Sequence, residues 1–426
     1  MSEIKSFEDV DFFSDPSLTN DPVPYYEHLR SKGPVTRMPH RGVVAVTGYD
    51  EALAIFRNEE RFSSYNAAYG PNPLPFEPSG EDITEQIAQN RGDWSIFNMI
   101  STFDPPDHTR LRLLLKGLLT PKRLLENEQF MWKLADGLID EFIGSGGVEF
   151  VNDFSGPFAT LVVADLLGVP EEDHKKFRRI FTESGMRLGS IDGVPPQAEN
   201  PLTKITGYFY EYIEDRRKNP RKDVMTDLAL TKYADGSLAT VDDIVNLSAF
   251  LFAAGQETTV RVMAAMLVFL CEDPELQKRL RADRSLIPNF VEETLRMEGT
   301  VKTGYRLAKV RANVGDIEVE PGTPVMLMIS AMNRDPSKFE NPNEFQPDRK
   351  NAREHLAFGR GIHACIGAPL ARAELKVAVE RMFDRTSDIR FDERFHGTAD
   401  NRKLDYMPSY MARGLSDLHL VFDAKA

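Results

Sequence analysis

This sequence predicts a mainly α fold: one large helical portion joined to a small β-rich portion. Three observations carry that expectation. Apolar residues recur at helical spacing from Pro106 to Gly185, and again after one long connection up to Met297. A short window, "LAKVRANVGDIEVEPGTPVMLM", alternates and turns in the manner of a β-hairpin. Finally, no internal repeat or low-complexity tract divides the 426 residues, so the expectation is a single domain over 1–426.

Taken in order, "GVVAVTGYDEALAIFRN" begins as a strand, Val43 to Val46, and shifts to helical spacing through Ala52, Leu53 and Ile55. Residues 65–99 are dense in Pro and Gly and read as a long loop with one short helix. Breaks at "GSGG" and "GVPEED" divide the next helices, with Pro170 placed to start a new one. A second long loop spans 187–201. The most apolar stretch, Val241 to Leu270, is interrupted by Asn246, Gln256, Glu257 and Arg261, which suits a buried core helix better than a membrane span. Pro369 opens the last long helix, and the tail after Phe391 is irregular until the strand-like "DLHLVF".

Hydrophobic residues at 41% and charged residues at 28% are ordinary for a globular chain. Acidic side chains outnumber basic ones by 66 to 52, a net charge of -14, which argues against nucleic acid or an anionic membrane as partner. Two cysteines make no disulfide framework, and the N-terminal "MSEIKSFEDVDFFSDP" is acidic where a secretion signal is basic and then apolar. The expected location is cytoplasmic.

The chemistry concentrates in "LAFGRGIHACIGAPLARAE", residues 356–374. Cys365 sits just before a helix N-terminus, where backbone N–H groups favour a thiolate. Cys271, between an apolar helix and "EDPELQ", reads as a small buried hydrophobe. Around Cys365, by contrast, Gly359, Gly361 and Gly367 leave the backbone room to approach something large and flat, and Phe358 can shield the sulfur. The glycines do not make a dinucleotide fingerprint, zinc would want more cysteines or paired histidines, and no signature pairs Cys365 with a base. A thiolate ligand to haem iron meets these needs.

Phe358, Gly361, His363, Cys365 and Gly367 resemble the FGxGxHxCxG haem loop of the cytochrome P-450 family, bacterial soluble type. Four further segments resemble the family in its order. In "VEETLRMEG", Glu293 and Arg296 resemble its ExxR pair, with Arg349 of "FQPDR" as the structural partner. In "DPPDHTRLR", His108 and Arg112 resemble residues that hold haem propionates, as do Arg306 and His363. "AGQETT" is similar to the acid and alcohol motif over the oxygen site, and "NRDP" adds another match. Alone, each of these has a plainer reading: an ion pair, a solvated helix face, or Thr258 bonding back to the carbonyl of Ala254. Gly255, a poor helix residue, suggests a local distortion beside Glu257 and Thr258.

The resemblance implies haem b (iron protoporphyrin IX) held by Cys365, dioxygen as co-substrate, and Glu257 and Thr258 as catalytic proton carriers. It implies a monooxygenase hydroxylating a hydrophobic small molecule, of terpenoid, steroid, fatty acyl or aromatic class. Phe250, Ala253 and Ala254 lie toward the Thr258 side of the helix and could line the pocket, with Phe76, Trp94, Ile96 and Phe97 in the first loop and Val301 and Met411 as weaker candidates. With no flavin or nicotinamide motif in the chain, electrons are expected from a separate ferredoxin and ferredoxin reductase. Lys116, Lys122, Arg123, Arg372 and Lys376 are the expected docking charges. The alternatives are a peroxide-driven haem hydroxylase and a non-catalytic haem sensor.

Overall fold

The computed structural model describes residues 7–91, 99–184, 191 and 201–425. In chain order the N-terminal part holds α1 (Ser17–Asn20), α2 (Val23–Ser31), β1 (Val35–Arg37), β2 (Val44–Val46), α3 (Tyr49–Phe56), β3 (Phe62–Ser63) and α4 (Thr84–Gln89). The helical body follows: α5 (Asp107–Leu118), α6 (Pro121–Phe142), β4 (Gly147–Glu149), α7 (Gly156–Leu167), α8 (His174–Ser184), α9 (Pro201–Lys218), α10 (Val224–Ala229), α11 (Val241–Glu272), α12 (Pro274–Ala282) and α13 (Ile287–Glu298). The chain ends with β5 (Gly304–Ala308), β6 (Ala312–Val314), β7 (Ile317–Val319), β8 (Pro324–Leu327), α14 (Ile329–Met332), α15 (Ala368–Arg385), β9 (Thr386–Phe391), α16 (Glu393–His396) and β10 (His419–Ala424).

Helix starts follow local chemistry. Thr120 caps α6 by accepting from Arg123 N, Thr240 caps α11 through Asp243 N, and Asp273 caps α12 through Leu276 N. Pro121, Pro274 and Pro369 sit in first turns, where the missing N–H costs nothing. α11 runs through the centre and packs on α7, α9, α13 and α15. Its flanks join two apolar clusters, one with Phe154, Phe158 and Met382, the other with Phe177, Phe209 and Met225. Among the described residues no helix is long and apolar enough to cross a membrane.

The β portion is larger than the hairpin read from sequence. β6 and β7 form that hairpin, but the main sheet has the order β1-β2-β8-β5-β3, with β2 and β8 parallel. A third sheet, β4-β10-β9, joins "GVE" after α6 to the C-terminus. Three-residue strands such as β1 and β4 carry too few residues for alternation to register, and their pairing is set by distant partners.

Candidate active site

The loop between α14 and α15 is built by its own backbone and by one buried anchor. Cys365 N donates to Phe358 O at 2.8 Å and Gly359 N to Leu356 O at 2.8 Å, closing the turn. Asn333 of "NRDP", fully buried, accepts from Leu356 N through its side chain at 2.7 Å. Gly361 is required for a reason the sequence reading did not supply. Its φ is +72°, and a Cβ there would lie 2.0 Å from the carbonyl oxygen of Phe56 at the end of α3. The glycine therefore admits another stretch of this chain, whereas the expectation was room for a flat group.

Cys365 itself is exposed, at the N-terminal side of α15. Surrounding protein raises the thiol by desolvation, while backbone N–H groups of Gly367 and Ala368 and the charge of Arg112 act in the opposite direction. The helix-terminus argument thus has the right sign but is outweighed as the protein stands. Cys271 is inert: its sulfur lies 3.8 Å from Ile389 O, and burial pushes its thiol up.

His108 on α5 and His363 on the loop meet ring to ring, centroids 4.0 Å apart at 43°. Neither His108 Nδ1 nor His363 Nε2 has a hydrogen-bond partner, although both atoms are buried. Burial and the nearby arginines hold both imidazoles down, His108 to about 4 and His363 to about 2. Arg306 on β5 is buried, and its guanidinium donates to the carbonyl of its neighbour Tyr305 at 2.7 Å. Arg112 reaches Ala364 O at 2.6 Å. Unpartnered donors gathered beside two guanidiniums fit a group bearing carboxylates, which is what haem propionates are. The residues present therefore fit haem, and Cys365 is the residue that would offer its sulfur to the iron.

In the middle of α11, five of six successive residues are half-buried and the sixth is exposed. Ala254 is exposed, and Ala253, Gly255, Glu257 and Thr258 are half-buried, so this stretch faces open space while the turns on either side are packed. No distortion breaks the helix, which runs unbroken from Val241 to Glu272. Gly255 instead lets α7 close in, since a Cβ there would lie 2.9 Å from Cγ2 of Val163. Thr258 Oγ1 donates to Ala254 O at 2.9 Å, and Glu257 lies 4.0 Å from Arg261.

Glu293, Arg296 and Arg349 come together in full burial. Arg296 Nε and Nη2 each donate to Glu293 at 2.8 Å, and Arg349 Nε reaches the same carboxylate at 3.0 Å. The remaining guanidinium hydrogens bind carbonyls of Asn333, Pro342, Glu340, Asn341 and Glu344, tying α13 to the segment before the Cys365 loop.

The sequence profile of the cytochrome P450 family matches residues 197–387. The chain is 33% identical over 405 residues to cytochrome P450 monooxygenase PikC of Streptomyces venezuelae, covering 93% of this chain and 90% of that one. The chain is a cytochrome P450. Among solved structures, substrate-free CYP150A6 of Mycobacterium marinum superposes with a TM-score of 0.93 at 49% identity, covering 99% of this chain and 100% of the other. CYP109E1 of Bacillus megaterium, solved with corticosterone, gives 0.79 at 27% identity over 95% of this chain and 98% of its own. The P450 family binds haem and catalyses monooxygenation, so the protein is an oxidoreductase.

Several site residues of this P450 lie elsewhere than the sequence suggests. Arg123 turns inward to the carbonyls of Asp165 and Leu166 at the end of α7, so it is no docking charge. Arg372 binds the buried Glu292 at 2.6 and 3.0 Å and covers the Phe358 ring at 4.7 Å. Lys116 and Lys122 are exposed, and Lys376 lies 3.9 Å from Glu128. Met411 is buried at 4% exposure beside Phe12, Phe13 and Tyr25, which removes it from any pocket. Val301 makes a bridge to Ala412. Phe250 packs into the cluster of Val245 and Phe252, and Phe76 packs on Tyr65. Trp94, Ile96 and Phe97, and residues 187–201 apart from Ile191 and Pro201, lie outside the described residues.

Sequence reasoning missed the trio of buried Glu292 and His355 with half-buried Arg372. Burial would raise Glu292, but hydrogen bonds from His355 and Arg372 overcome it and hold the carboxyl at about 2. It also missed Glu374 on α15, whose carboxyl burial pushes up to about 8 against a hydrogen bond from Thr259. Each carboxylate is an unremarkable glutamate in a helical run, and only its partners across the fold single it out.

Proposed function

We propose that this P450 hydroxylates hydrophobic small molecules with dioxygen, taking electrons from a separate ferredoxin and ferredoxin reductase. The observation that carries the reading is the buried, unpartnered His108 and His363 pair beside Arg306 and Arg112, with Arg112 reaching Ala364 next to Cys365; the open stretch of α11 at Thr258 supports it. Haem b bound there would supply the iron that activates dioxygen, and the Cys365 thiolate would be its ligand, pushing electron density toward the iron. His108, His363, Arg306 and Arg112 hold the propionates, and Phe358 with Arg372 over its face shields the sulfur side. Gly361 and Gly367 shape the turn that presents it.

On the other side, Glu257 and Thr258 carry the protons that oxygen chemistry consumes. Thr258 must leave the Ala254 carbonyl to offer its hydrogen elsewhere, and Glu257 must leave Arg261. Ala253 and Ala254 present apolar surface beside them, and corticosterone in the CYP109E1 structure supports a ligand of steroid size and polarity. Two measurements test the reading. Cys365→Ser abolishes the thiolate-type spectrum of the reduced carbon monoxide complex; its persistence removes the ligand assignment. Thr258→Ala leaves haem binding intact but diverts electrons from product to hydrogen peroxide, and unchanged coupling with a turned-over substrate discards the role of Thr258.

A further inference from the structure

One stripe of α11, stepping by three and four residues, runs Ala254, Thr258, Arg261, Ala265, Val268, Glu272. It begins at the open stretch in the middle of the molecule and ends at Glu272, exposed at the helix C-terminus. Along its second half lies a cavity of about 150 Å³ bounded by Arg261, Ala265, Val268 and Glu272 on α11, with Glu298 and Tyr406 facing them. At ~30 Å³ per molecule this is room for several waters, and the wall offers carboxylate, guanidinium and phenol partners for them. The Glu298 charge is compensated by Arg413 at 2.8 Å and Arg334 at 3.4 Å.

Arg261 at the inner end is fixed from two directions. Its Nη1 donates to Leu415 O at 2.6 Å. Gly414 lies flat on its stem, since a Cβ on Gly414 would fall 2.4 Å from Arg261 Cβ and 2.5 Å from Cγ. So held, the guanidinium stands 4.0 Å from the Glu257 carboxylate, one turn from Thr258.

We propose that this cavity is the water-filled port through which Glu257 takes protons from solvent, with Arg261 as its inner post. The inference rests on the reading of Glu257 as proton carrier. Arginine does not itself give up a proton; it orders the waters and keeps the carboxylate turned toward them. A proton passes from a cavity water to Glu257, and that water regains one from bulk at the Glu272 rim. Glu257 then swings from Arg261 toward Thr258 and delivers it.

The test fills the port without touching its chemistry. Ala265→Leu, and independently Val268→Phe, should remove the waters that a wild-type crystal structure shows between Glu272 and Arg261. Haem spectrum, substrate-induced spin shift and unfolding midpoint should stay as in wild type, while the share of electrons ending in hydrogen peroxide rises several-fold. Glu257→Gln should raise that share as much, and the double variant no further. If Glu257→Gln uncouples and neither filled variant does, the port is wrong and the role of Glu257 stands; if Glu257→Gln leaves the partition unchanged, the role of Glu257 falls and the port with it. A dry cavity in the wild-type crystal also overturns the proposal.

Discussion

His108 shows how much a single side chain depends on what it meets. In "DPPDHTRLR" it is one polar residue on a helix face, yet it is buried at 2% exposure with an unsatisfied nitrogen against the ring of His363. Its folded value of about 4 lies below the ordinary 6.5, through burial first and Arg112 second. The unfolded chain therefore takes up a proton near pH 6.5 that the folded chain refuses until about pH 4, and stability of the haem-free protein falls as pH drops through that window. Bound carboxylates favour the protonated ring and oppose the loss. Denaturant midpoints from pH 7 to pH 4 should fall more steeply for haem-free wild type than for His108→Gln; parallel curves reject the linkage.

Between elements, the buried charges decide which helices hold the Cys365 loop. Glu293 on α13 accepts from Arg296 and Arg349, both almost wholly enclosed, and Arg349 in turn fixes carbonyls of residues 340–344. Removing the carboxylate strands two guanidiniums without a counter-ion. Breaking such a pair costs about 3–5 kcal/mol, so Glu293→Gln should lower the unfolding free energy by that amount in urea titration, and a loss near zero contradicts the brace. The spacing of Glu293 and Arg296 was legible because three residues is one helical turn. The parallel pairing of β2 with β8, and the Glu292 link from α13 to α15, were not, because no local period connects strands or helices so far apart in the chain.

Across the whole molecule the net charge of -14 makes any positive area a local exception. Of the five basic residues read from sequence, Arg123 and Arg372 are spent on internal carbonyls and on Glu292, whereas Lys116 is exposed and Lys122, 3.9 Å from Glu126, keeps its side chain largely in solvent, where an acidic electron donor would meet them. The double variant Lys116→Glu and Lys122→Glu should slow reduction by ferredoxin at low salt, with the difference shrinking as ionic strength rises. Equal rates at every salt concentration locate the docking face elsewhere.

Sequence by itself determined the helical body, the loop bearing Cys365, and the pairing of residues one turn apart, because these depend on local periodicity and on residue types at fixed spacing. Only the tertiary structure decided that His108 meets the ring of His363, that Gly361 admits the backbone of Phe56, and that Arg261 is pinned beneath Gly414. Those contacts join segments whose approach is set by packing around α11, and packing distance is a property of the folded chain that no local pattern encodes.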